Sequence, residues 1–153
     1  MKNRYLYRGK RIDNGGWIIG NRLDDEVTGQ VFIHAVGNSV NESDKVGEDG
    51  CLTFVAYEVD PSTVCQCTGL EDKNGKLIWE NDIVKEFSGS GNEWCLAKIV
   101  FDEYSLNLGW CEEGIKSLNK YNNRLFNVGI GTNDANKYVV VGNIFDNPEL
   151  LEV

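Results

Sequence analysis

The stretch VDPSTVCQCTGLEDKNGKLIWENDIVKEF, Val59 to Phe87, decides the fold. Asp60-Pro61 opens it as a turn, because proline fixes its own φ and pushes the residue before it toward extended geometry. Asp60 or Ser62 is placed to cap a single helical turn there. Thr63 to Thr68 alternates and is rich in β-formers, which predicts a strand ended by Gly69. Asp72-Lys73-Asn74-Gly75 predicts a hairpin turn, since Asn-Gly tolerates the positive φ of the primed turns. Lys76 to Trp79 is then the return strand, with Leu77 and Trp79 on one face and Ile78 on the other. Glu80-Asn81-Asp82 makes a second corner, and Ile83, Val84 and Phe87 begin a third strand.

The spacing of Thr68-Gly69-Leu70, Asp72, Gly75-Lys76, Ile78, Glu80 and Asp82-Ile83-Val84 resembles the signature of the YopX family of phage and prophage proteins. Three further pieces agree with it: Trp17-Ile18-Ile19-Gly20 after an arginine-rich opening, Asp60 with Thr63-Val64, and Val141-Gly142-Asn143-Ile144-Phe145-Asp146-Asn147-Pro148-Glu149-Leu150-Leu151. One departure is Cys65-Gln66-Cys67, where the pattern has one aromatic or polar residue in place of a second cysteine. The resemblance implies a mostly β protein with an SH3-like barrel portion, encoded by a phage or prophage. The family is tied to no reaction, so no catalytic set comes with it.

Composition sets the outer bounds. A chain of 153 residues is long enough to bury a sizeable core, as one domain or one domain with a small lobe. The 41% hydrophobic and 25% charged shares are those of an ordinary globular protein. Seventeen glycines against 2 prolines suit short strands joined by tight turns. The net charge of −9 argues against general nucleic-acid binding, which needs clustered Lys and Arg. The charge is uneven, however. Residues 1–11 hold Lys2, Arg4, Arg8, Lys10 and Arg11 and no acid, so they carry +5 and leave −14 to the rest. The preferred reading is an N-terminal edge strand whose basic side chains lie against the acidic body of the same or a neighbouring subunit. The alternative is a basic arm that touches nucleic acid or an acidic partner. Five cysteines cannot all pair, MKNRYLYRGKR lacks an apolar leader, and no run approaches the ~18 apolar residues of a membrane span. A reducing bacterial cytoplasm with free thiols is the expected location.

Outward from the central stretch, residues 4–8 and Trp17 to Gly20 predict strands around an Asp13-Asn14-Gly15-Gly16 turn. Asp24-Asp25-Glu26 is an acidic loop, Gln30 to Val36 a strand, and residues 37–50 a polar loop. Cys51 to Val59 is a further strand. On the other side, Glu93 to Glu103 is the longest strand candidate, with Cys95, Ala97, Ile99 and Phe101 on one face and Trp94, Leu96, Lys98 and Val100 on the other. Leu106 to Cys111 continues the meander, with Trp110 as a core anchor. Glu112 to Asn123 is a loop or a short helix. Leu125 to Ile130 and Tyr138 to Val141 are the last strands, joined by a turn at 131–134. Asn147 with Pro148 at the first helical position starts a terminal helical turn.

Few residues invite chemistry. Cys65 and Cys67 share a strand face, but a structural zinc site needs about four ligands, so apolar filling is preferred to a metal or redox site. His34, the only histidine, lies inside the apolar strand Val31 to Val36, where a hydrogen-bonded role is commoner than catalysis. Asp60, Asp72, Glu80 and Asp82 offer carboxylate pairs for hydrolysis or a divalent cation. Turn chemistry, with the side chains accepting backbone amides, is the simpler reading. The four tryptophans at 17, 79, 94 and 110 fit their strand alternation and are read mainly as core; if any is exposed, it is Trp17 or Trp94, which sit beside glycine-rich turns.

The sequence therefore predicts a single mostly β domain. It divides into an N-terminal β element at 1–59, an SH3-like barrel portion at 60–145 and a C-terminal helical turn at 146–153. No catalytic residue, metal or cofactor is assigned. The binding candidates are Arg4, Arg8, Arg11, Trp17 and Trp94. The expected function is that of a non-catalytic phage or prophage interaction protein that self-associates and engages a host or phage macromolecule. Nucleic-acid association through the basic arm is the alternative, and a carboxylate-dependent hydrolase comes third.

Overall fold

The computed structural model describes residues 3, 5–35, 55–88, 90–102, 109–118, 128–129 and 137–152. The expected loop at 37–50, the first residues of the strand at 51–59 and the turn at 131–134 lie outside them. Among the described residues the chain is mostly β, as expected, with antiparallel pairing throughout. It forms two compact units, Lys2–Cys67 and Thr68–Val153.

In the first unit, β1 (Tyr7–Lys10), β2 (Trp17–Asp24), β3 (Val31–Ala35) and β4 (Ala56–Val59) pair in sequence order. The segment after β1 then meets the far side of β4. Arg11 bridges Val59, Ile12 N–H donates to Glu58 O (3.1 Å), and Asp60 N–H donates to Lys10 O (2.8 Å). Ile18, Val31, Ile33, Ala35 and Val59 form the buried core, with Tyr7, Tyr57 and Val64 packed against it. Alternation explains the set: β3 reads buried, intermediate, buried, intermediate, buried from Val31 to Ala35. Gly20 sits where β2 passes closest to β3. A Cβ there would lie 1.8 Å from the His34 carbonyl oxygen.

Three expectations change here. Strand β1 begins at Tyr7 rather than Arg4, because Leu6 N–H closes a turn onto Asn3 O (3.0 Å). It is also not an edge strand: it lies between β2 and β5, pairing Gly9 with Ile18 and Arg8 with Cys65. The basic opening is thus neither an edge nor a free arm from Tyr7 onward. Strand β2 extends four residues past Gly20 to Asp24, since β3 continues to pair with it beyond the end of β1.

Pro61–Thr63 forms the expected single helical turn, a 3-10 helix capped by Asp60 accepting from Ser62 N–H (2.9 Å). Thr63 therefore belongs to this turn and not to the strand that follows. β5 (Cys65–Glu71) starts in the first unit and ends in the second, beside β6 (Leu77–Trp79). Gly69 does not end it. It stays in the strand at φ 78, while Thr68 Oγ1 donates to Ile78 O (2.7 Å) and accepts from Leu70 N–H (3.1 Å).

The second unit holds the sheet order β10 (Val128–Gly129), β9 (Gly109–Ser117), β8 (Glu93–Asp102), β7 (Asp82–Phe87), β11 (Tyr138–Asn143). Among the described residues this sheet has two ends and does not close, so the closed barrel expected at 60–145 is not formed by it. The core joins Ile78, Val84, Cys95, Ala97, Ile99, Tyr138 and Val140, with Leu70 and Trp110 packed against it. Phe101 falls on the same alternation as Cys95, Ala97 and Ile99 but is 49% exposed, meeting Trp110 edge-to-face at 5.1 Å. Residues 112–117 are strand rather than loop or helix. They pair with β8, and exposed Glu113 forms an ion pair with Lys98 (2.8 Å). Asn147 does not cap the terminal Pro148–Leu151 3-10 helix. Its Oδ1 turns back to accept from Asn143 N–H (3.3 Å).

The central corners are fixed by buried carboxylates. Asp72 is 4% exposed. Its Oδ1 accepts from Asn74 N–H (2.8 Å) and Lys76 N–H (3.0 Å), and its Oδ2 accepts from Val140 N–H (3.0 Å). Next to it, Lys73 N–H donates to Tyr138 O (3.1 Å). Gly75 completes this turn at φ 79. At the second corner Asp82, 1% exposed, accepts from Trp79 N–H (2.9 Å), and Asn81 takes φ 63. Asn81 N–H reaches Ile99 O (2.8 Å), and its carbonyl accepts from Ile144 N–H (3.1 Å).

Replacing Asp72 by Asn turns one acceptor oxygen toward N–H donors into an amino group, so Asp72→Asn is expected to cost about 1–3 kcal/mol. A lowered urea midpoint with an unchanged slope checks this. Gly20→Ala forces β2 away from β3, because the clash is with backbone that no rotamer relieves. The expected loss is about 1–3 kcal/mol, measured the same way, whereas Gly15→Ala, in open space but at φ 70, is expected to lose less.

Candidate functional site

The first unit gathers the cations of the sequence opening onto aromatic rings. The register of β1, β2 and β3 puts Arg8, Lys10, Trp17, Ile19, Phe32 and His34 on the face opposite the Ile18–Ile33 core. Neighbouring strands present alternate residues to one side, so this grouping follows from pairing alone. The Arg8 guanidinium lies 4.7 Å from the Trp17 ring centroid and the Lys10 ammonium 5.5 Å from it. Arg11, at the end of β1, stacks on Tyr57 at 3.9 Å. Arg22 lies 5.8 Å from the Tyr7 ring. Cations this close to ring faces are held by the ring quadrupole.

Of the predicted binding residues, Arg8, Arg11 and Trp17 are thus brought into one unit. Trp17 is half-buried under its two cations, not fully exposed. Arg4 and the side chain of Trp94 lie outside the described residues. Sequence reasoning missed Tyr7, Lys10, Arg22 and Tyr57 as members. Lys10 and Trp17 were both visible as residue types, and the turn between them was predicted, so a hairpin register would have paired them. The Arg11–Tyr57 contact depends on the return of the chain to β4 and had no local signal.

Carboxylates trim this charge. Arg11 Nε donates to Asp13 Oδ1 (2.9 Å), and the pair is an ion pair at the surface. That guanidinium hydrogen bond holds the Asp13 carboxyl below the usual carboxylate range. Arg22 is paired in the same i, i+2 way with Asp24 (2.7 Å). Asp25 is lowered by the Thr28 hydroxyl and then by the amides of Val27 and Thr28 at the β2–β3 tip. Asp60 is lowered by the Ser62 hydroxyl and amide. Ile12, Asp13, Ala56, Tyr57 and Glu58 line a shallow cavity of about 230 Å³ beside Arg11.

The other candidates are engaged in structure. Cys65 and Cys67 are fully buried in β5, and the Cys65 thiol donates to Thr63 O (3.3 Å). His34 sits mid-β3, between Asn21 and Ala56 of the flanking strands. Asp60, Asp72 and Asp82 accept backbone amides at their own corners. Among the described residues no three His, Cys, Asp or Glu side chains group as metal ligands. No helix there is long and apolar enough to cross a membrane.

In fold the chain is similar to the crystal structure of protein EF1440 from Enterococcus faecalis. The TM-score is 0.50 at 19% identity, over 95% of this chain and 96% of that one. No curated protein matches. The family model described as YopX protein matches residues 7–152, which takes in β1 through the terminal 3-10 helix. The central corners, the Trp17 strand and the Gly142–Leu151 close all fall inside that match, and the chain belongs to the YopX family.

Proposed function

We propose that the protein is a non-catalytic interaction protein of a phage or prophage, acting in the bacterial cytoplasm, self-associating and engaging a host or phage macromolecule. The observation that carries this reading is the condition of the corner carboxylates. Asp60, Asp72 and Asp82 hold turns through backbone amides, and two of the three are buried. A hydrolase needs a carboxylate aimed at substrate from an open cleft. The phage setting rests on the family resemblance, self-association on the habit of short β-rich domains to pair through edge strands, and the cytoplasmic location on five cysteines that cannot all pair. The SH3-like reading of residues 60–145 is supported by the long β7–β8 hairpin alone.

The contact surface in this proposal is the cation–aromatic group of the first unit. Arg8 and Lys10 set two cations over Trp17 on one face of an otherwise acidic chain, which steers an acidic partner to that place, while Arg11 alternates to the other side and is paired with Asp13. The same group favours a second reading, nucleic-acid association, because aromatic rings with flanking cations suit bases and phosphates.

Affinity capture with the tagged chain from an infected or induced host is expected to enrich a defined macromolecule. Arg8→Gln with Lys10→Glu is expected to abolish the enrichment in a protein that still unfolds cooperatively in urea. Equal capture by the variant sinks the assignment of the surface. A hydrolytic activity lost in a folded Asp60→Asn protein sinks the non-catalytic reading. A gel shift that weakens steeply with salt and vanishes in the double variant favours nucleic acid over protein.

A further inference from the structure

The chain contains two Asn-Gly pairs, Asn14-Gly15 and Asn74-Gly75. Both lie exposed at turns. Asparagine before glycine is open to attack by the following amide nitrogen, because glycine has no Cβ to shield it. In that reaction the glycine nitrogen bonds to the asparagine Cγ, and the side-chain nitrogen leaves as ammonia, taking the amide proton. Water then opens the resulting succinimide at either carbonyl to give aspartate or isoaspartate.

The two turns present this chemistry differently. Asn14 Oδ1 accepts the Gly16 N–H (2.8 Å), which folds the carboxamide back over the attacking stretch and polarises its carbonyl. A Cβ built on Gly16 would stand only 3.7 Å from Asn14 Cγ. The rest of this turn, whose Asn14, Gly15 and Gly16 are exposed, is tied among the described residues by backbone bonds to Arg11 alone, Arg11 N–H to Gly16 O and Gly15 N–H to Arg11 O, both 2.9 Å. At the other turn Asn74 N–H and Lys76 N–H both donate to Asp72 Oδ1, so the backbone on either side of the Gly75 nitrogen is fixed to one buried carboxylate. Gly75 N–H itself donates to Asp72 O (2.9 Å). Bringing that nitrogen to Asn74 Cγ requires rotating the Asn74 backbone and breaking these bonds together.

We propose that Asn14 is a site of spontaneous deamidation and that Asp72 shields Asn74 from the same reaction. Either product adds a carboxylate to the hairpin that sets Lys10 against Trp17, and isoaspartate adds a backbone carbon as well. The test is to hold the purified full-length protein at mildly alkaline pH and follow both peptides by mass mapping, natively and in unfolding urea. Conversion at Asn14 is expected to run several-fold faster than at Asn74 in the native protein, and the two rates are expected to converge in urea. Equal native rates, or faster conversion at Asn74, overturn the proposal. A difference that persists unchanged in urea also overturns it, because the cause is then local sequence rather than the fold.

Discussion

Asp72 lies almost fully buried with three backbone N–H groups pointed at its carboxylate, two from its own turn and one from Val140, which stands 68 residues further along the chain. A carboxylate removed from water needs such donors, and bonds to a charged acceptor are stronger than neutral ones. The turn and β11 therefore depend on each other. Without Val140 the carboxylate loses one donor, and without the turn β11 loses the partner of its amide. The second corner works in the same manner. Asn81 links β8 through Ile99 and the C-terminal segment through Ile144 from a single left-handed residue.

Several residues of the central stretch shape corners. Thr68 ties β5 to β6, Asp72 ties the hairpin to β11, and Asp82 closes the turn before β7. At the C-terminal end a Cβ on Gly142 would lie 2.3 Å from Asn147 Oδ1, and the Asn143 side chain accepts from Phe145 and Asp146 amides. A signature made of brace points constrains geometry strongly while leaving the surface free to vary.

Much of this was legible in the sequence, because strand period and turn chemistry are local. The Asp72–Gly75 turn, the Asn81 corner and the long β8 strand were all readable from spacing. What was not legible came from distant partners. β5 runs on through Gly69 because Thr68 and β6 hold it there, and residues 112–117 are strand because the backbone of β8 pairs with them. β1 is interior because β5 returns to its free side, 57 residues from Arg8 to Cys65. The cation–aromatic group was half visible. Arg8, Arg11 and Trp17 stood out as residue types, but Tyr57 joins only through the return of the chain to β4.

The bonds from Asp72 and Lys73 to β11 have one more effect. The Tyr138 carbonyl and the Val140 amide point away from β7, on the side where a further strand would add, and the hairpin turn already occupies both. An unprotected strand border is where molecules stack into fibrils. Here the protein's own turn seals that border over residues 138–140, so no further strand adds to β11 along them.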